Sequence, residues 1–245
     1  MMKIKRFIYS LPEEEFLEFV YENSVPVEVV KRQEGVVYFA VYKKIDHLKP
    51  VKVDEISDDW KNWKENFKPI EIEDFIILPP WKKPVFIKPG LAFGTGLHPT
   101  TQLCIKALKK YLKSGMSVLD VGTGSGILAV VSKLLGASYV LGIDISDDAV
   151  RECKENAELN GLKIECLKAQ PKDISKSFDL VVANLEIQIF EKVLKDILPK
   201  FKELGIFSGL YREEDLENFK SMVKDYKILE VLEKEEWFAI VLKKV

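Results

Sequence analysis

Apolar positions change their spacing near residue 55. Before it, residues 3–9 read as a strand. Phe16, Leu17, Phe19 and Val20 then give the next segment a broad apolar side through about Glu22, as in a short helix. Ser10-Leu11-Pro12-Glu13 offers that helix a capping box, and Glu13, Glu14 and Glu15 suit its positive end. Residues 25–30 and 36–41 read as two strands around a turn at Gln33-Glu34-Gly35, and 43–56 show no second helix. This predicts a small α+β domain over 1–54. A linker over 55–69 follows, with a helix across 58–67. Its Trp60, Trp63 and Phe67 share one face, which docks on the rest of the protein.

The remainder, 70–245, has the alternating period of an α/β domain. Strands are predicted over 117–121, 138–143, 163–168, 178–183 and 205–209. Helices are predicted over 102–112, 125–135, 147–160, 187–200 and 213–225. Strand and helix in strict succession make a parallel sheet. The rhythm breaks at the end. Residues 226–232 and 237–242 are joined only by Glu233-Lys234-Glu235-Glu236, a link that permits only an antiparallel pair.

Composition narrows the classes of function. A net charge of −2 gives no overall basic field for nucleic acid. No apolar run reaches the roughly 18 residues of a membrane span, and the start lacks a signal-peptide core, so a cytoplasmic protein is expected. Cys104, Cys153 and Cys166 lack metal-ligand spacing and read as buried reduced thiols. His47 and His98 cannot build a histidine-rich metal site, so no metal is expected.

The chemistry concentrates in Val118-Leu-Asp-Val-Gly-Thr-Gly-Ser-Gly126. A strand enters a loop carrying Gly122, Gly124 and Gly126, a helix follows, and the next strand ends in Asp144, an acceptor for ribose hydroxyls. A dinucleotide fingerprint requires a sixth-position glycine, and Ile127 stands there instead. Asp120 beside the loop would repel a diphosphate and suits a cationic ligand such as S-adenosylmethionine. The pattern resembles motif I of the Rossmann-like class I methyltransferases, and the antiparallel end fits that fold.

Two further segments sharpen the resemblance. Pro89-Gly-Leu-Ala-Phe-Gly-Thr-Gly-Leu-His-Pro-Thr-Thr101 precedes the glycine loop, and Val182-Ala-Asn184-Leu185 closes the fourth strand. Together these motifs resemble the PrmA family, methyltransferases of large-subunit ribosomal protein number eleven, most strongly over residues 55–245. The resemblance implies a small substrate-recognition domain before a catalytic domain. It places cofactor contacts on Thr101, Gly122, Asp144 and Asn184, with Gly124 in the same loop. It implies methyl transfer from S-adenosylmethionine to lysine side-chain and N-terminal amines of that free ribosomal protein. A monomer acting without nucleic acid or membrane is expected.

Asn184 is the candidate for orienting the amine, with the alternative that it only holds the cofactor's amino-acid part. Phe93, Leu97 and Leu185 are candidate apolar walls, and His98 braces the loop in preference to acting as a base. Where many class I enzymes place an acid near adenine, the chain has Ala169-Gln170. The alternative function is a class I methyltransferase of another protein or a small-molecule amine. The absence of Asn-Pro-Pro-Tyr at Asn184 argues against planar amide or base substrates. A nicotinamide oxidoreductase and a non-catalytic cofactor-binding module fit these residues less well.

Overall fold

The computed structural model describes residues 3–23, 25–57, 68–88, 90 and 93–244. The aromatic helix expected over 58–67 lies outside them. The chain forms two compact units, Met1–Pro80 and Trp81–Val245.

In the first unit, β1 (Lys3–Pro12), β2 (Glu28–Gln33), β3 (Val36–Val41) and β4 (Lys52–Ser57) form an antiparallel sheet in the order β2-β3-β1-β4. Helix α1 (Glu13–Asn23) lays Phe16 and Phe19 against Phe39, with ring centroids 5.0 and 5.2 Å apart. β1 runs past the expected capping box because Ser10, Leu11 and Pro12 pair with Tyr38, Val37 and Val36. β4 was illegible in the sequence, since its charged residues mask the alternation of an edge strand. A short hairpin, β5 (Ile70–Ile72) and β6 (Phe75–Ile77), also belongs to this unit. The division therefore falls later than the boundaries at 54 and 70.

The second unit holds α2 (Pro99–Tyr111), β7 (Ser117–Val121), α3 (Ile127–Leu134), β8 (Tyr139–Asp144) and α4 (Asp147–Leu159). These are followed by β9 (Glu165–Lys168), β10 (Phe178–Asn184), α5 (Ile187–Ile197), β11 (Phe201–Tyr211), α6 (Arg212–Met222), β12 (Lys227–Lys234) and β13 (Trp237–Lys243). The sheet order is β12-β13-β11-β10-β7-β8-β9. β7 to β11 run parallel, and β13 lies antiparallel between β11 and β12, the fold the sequence implies. Alternate strand residues feed two apolar layers. Leu119, Val181 and Phe207 meet Phe190 and Phe219 on one face, while Val118, Val182 and Ile206 meet Leu108 and Leu128 on the other.

Chain order reverses between β7 and β10, which opens a crevice at their carboxyl ends. The pair is locked at the opposite end, where Asp179 accepts hydrogen bonds from the Ser117 amide and hydroxyl, both at 2.7 Å.

The structure corrects the cysteine reading. Cys153 on α4 and Cys166 on β9 form a disulfide, with Cα atoms 6.2 Å apart, and only Cys104 is a free thiol. Sequence spacing could not show that α4 packs back onto β9.

Candidate active site at the strand ends

The crevice is built from backbone outward. Gly122 and Thr123 both donate their amides to the Ile143 carbonyl, at 2.9 and 3.0 Å, folding the glycine loop over the end of β8. Asp144 then ties two turns together, accepting from Gly124 N at 3.1 Å and Ser146 N at 3.0 Å. Phe93 and Gly94 cross the loop from above. Ser125 N donates to the Phe93 carbonyl at 3.0 Å, and Ser125 Oγ to the Gly94 carbonyl at 2.6 Å. Gly124 has φ +53°, and a Cβ there would lie 2.4 Å from the Phe93 oxygen, so this crossing requires glycine.

Beneath this crossing opens a cavity of about 880 Å³. Gly122, Gly124, Asp144 and Asn184, named from the sequence, lie together on its wall. Thr101 does not: it is fully buried and its hydroxyl has no partner among the described residues, while the neighbouring Thr100 lines the cavity. Phe93 and Leu185 are walls as expected, but Leu97 is 83% exposed and points elsewhere. His98 caps α2. Its Nδ1 accepts from Thr100 N and lies 2.8 Å from Thr100 Oγ1, while its ring abuts Phe93 and Trp237. That is the bracing role.

Ala169, Gln170 and Pro171 line the cavity, and the nearby Asp173 is turned away to accept from Gln170 N at 2.9 Å. Sequence reading missed Trp237, Gly209, Glu186, Ile189 and Lys192 on the wall. Only the fold brings the terminal hairpin and the first turns of α5 to the crevice.

Asp120 proves to be structural. It is 1% exposed, and its Oδ2 accepts from Thr123 Oγ1 at 2.7 Å and Ala129 N at 3.1 Å, so it pins the loop to α3. Its Oδ1 is buried without a partner among the described residues. Burial outweighs those bonds and pushes its carboxyl up to about 7. The fold therefore holds a proton that the unfolded chain releases near pH 4, and stability falls as pH rises from about 4 to 7. An Asp120→Asn amide oxygen can keep both acceptor bonds. In thermal melts of the cofactor-free protein, the variant should gain on wild type by about 3 kcal/mol between pH 4.5 and pH 8. A difference that does not change with pH would refute the account.

These residues fit S-adenosylmethionine. Among described cavity residues the charged groups are Asp144, Asp148, Glu186 and Lys192, a set that favours a cation over a diphosphate. Ile145, Ala169 and Pro171 line the same cavity as Asp144, apolar groups of the kind that pack against a planar base.

Comparison with known proteins accords with this geometry. The sequence model of the family "Ribosomal protein L11 methyltransferase (PrmA)" matches residues 12–245. The chain belongs to the PrmA family. A PrmA relative from Aquifex aeolicus, named ribosomal protein L11 methyltransferase, is 69% identical over 244 residues, covering 100% of both chains. The crystal structure of a ribosomal protein L11 methylase from Lactobacillus delbrueckii superposes with TM-score 0.61 at 31% identity. It covers 73% of this chain and 100% of that one. A SAM-dependent methyltransferase from Aquifex aeolicus gives TM-score 0.50 at 25% identity, over 58% of this chain and 89% of that one.

Proposed function

We propose that this enzyme transfers methyl groups from S-adenosylmethionine to lysine side-chain and N-terminal amines of ribosomal protein L11. The observation that carries the reading is PrmA membership across residues 12–245, with a full-length relative bearing that name. The substrate is the free protein, met in the cytoplasm by a monomeric enzyme, with the small amino-terminal domain holding it.

S-adenosylmethionine supplies a methyl group already activated on a sulfonium. The chain's own residues have the tasks of binding, alignment and exclusion of water. Asp144 accepts from the ribose hydroxyls, and Gly122 and Gly124 admit the ligand close to the backbone.

The amine must be neutral to react. A lysine of pKa about 10.4 costs roughly 4.6 kcal/mol to deprotonate at pH 7. Phe93, Leu185 and Trp237 line the cavity and lower that cost by excluding water from the ammonium. The Asn184 side-chain carbonyl accepts from the amine N–H and turns its lone pair inward. An acceptor of this kind, with no fixed base, lets the amine rotate between successive transfers.

Mass spectrometry of L11 after incubation with enzyme and S-adenosylmethionine tests the reading. Mass steps of one methylene, lost in Asn184→Ala while cofactor affinity persists, are expected. An unmodified L11 in the presence of bound cofactor refutes the substrate assignment. Loss of cofactor affinity in Asn184→Ala would instead assign Asn184 to the cofactor.

A further inference from the structure

Glu186 lies on the cavity wall at the turn from β10 into α5, two residues beyond Asn184. The other wall acids are engaged. Asp144 holds Gly124 N and Ser146 N, and Asp148 pairs with Arg151 at 2.6 Å. Glu186 is exposed, and among the described residues its carboxylate has neither a hydrogen bond nor an ion pair. It stands at the N-cap of α5 yet makes no capping bond. Ile189 and Val193 continue the same helix face along the wall. An uncommitted carboxylate beside Asn184, at the open side of an apolar cavity, is an anchor for a cation.

We propose that Glu186 docks the substrate amine as its ammonium ion at the cavity mouth, before the proton is lost. The inference rests on the methyl-transfer reading above. At the exposed rim the proton passes to solvent water, leaving the neutral amine to move inward to Asn184. The anchor has two opposed effects. Its charge draws the ammonium in and lowers KM. The same charge favours the protonated form and so raises the pH at which the bound amine becomes reactive. A residue that only supported the fold would not move these quantities in opposite senses.

Steady-state methylation of purified L11 by the full chain, over about pH 6 to 9, tests this with Glu186→Gln and Glu186→Asp. The control is Glu191→Gln. Glu191 sits on the same helix, off the cavity wall, and its acceptor bond from Asn218 at 3.1 Å survives as an amide oxygen. Glu186→Gln should raise KM about fivefold at low salt, the scale of a partly exposed ion pair, and the gap should narrow with added salt. Its kcat at neutral pH should equal or exceed wild type, with the acid limb of the kcat profile displaced to lower pH. Glu186→Asp should retain a KM nearer wild type, and Glu191→Gln should match it. A Glu186→Gln enzyme with wild-type KM and an unmoved acid limb overturns the proposal while leaving the methyltransferase reading intact. A wild-type enzyme that binds cofactor but leaves L11 unmodified overturns both.

Discussion

Asp144→Ala is expected to weaken S-adenosylmethionine binding at least a hundredfold while leaving the protein folded. The carboxylate sits at the carboxyl end of β8 and joins the glycine loop to the start of α4 through Gly124 N and Ser146 N. Bonds to a charged acceptor contribute about 1.5–3 kcal/mol each, and alanine removes the loop's two together with the ribose contact proposed above. A total near 3 kcal/mol already exceeds a factor of a hundred in Kd. The strand itself does not depend on the side chain, because β8 is paired on both sides by backbone to β7 and β9. Titration calorimetry against wild type at one salt concentration measures the loss. Asp144→Asn, which keeps an acceptor, should fall between the two. A Kd within a few-fold of wild type for the alanine variant would remove Asp144 from the cofactor site.

Gly209→Ala is expected to cost at least about 3 kcal/mol of stability and most of the turnover. Gly209 has φ +98°, where an L residue is strained by about 1–3 kcal/mol. A Cβ would lie 2.2 Å from the Leu185 carbonyl oxygen and 2.6 Å from its carbon, so backbone must move. That backbone follows Asn184 directly and is held in place by Leu185 N donating to the Ser208 carbonyl at 2.9 Å. The displacement therefore falls on the residue assigned to the amine. Denaturant melts read the stability term, and kcat measured with cofactor saturating reads the second. A variant with wild-type midpoint and kcat would mean that the β10–α5 turn relaxes freely.

The amino-terminal unit and the parallel domain differed in how much of them the sequence disclosed. In the parallel domain every strand after Gly115 was readable, because strands such as 117–121 and 178–184 are buried on both faces and appear as apolar runs between turns. In the amino-terminal unit β4 and the β5–β6 hairpin escaped notice. β4 is a charged edge strand, and each strand of the hairpin is three residues long with every residue exposed.

The site shows the same division. Gly122, Gly124, Asp144 and Asn184 were legible because each occupies a fixed place at a strand end within a recognisable spacing. Asp120 was misread. Its position beside the loop suggested a ligand-facing charge, but the strand turns it inward to Thr123 and Ala129. Gly126 likewise faces α4, where a Cβ would stand 3.0 Å from Cys153 Cα.

By itself the sequence determined the order of strands and helices in the parallel domain, the glycine loop with its acid, and the family. These are local properties of spacing and residue type. Tertiary structure alone decided what completes the crevice. The antiparallel insertion of β13 carries Trp237 to His98, the first turn of α5 brings Glu186 to the rim, and α4 folding onto β9 joins Cys153 to Cys166. Such pairings depend on which elements become neighbours in space, and side-chain periodicity along one segment carries no record of its partner.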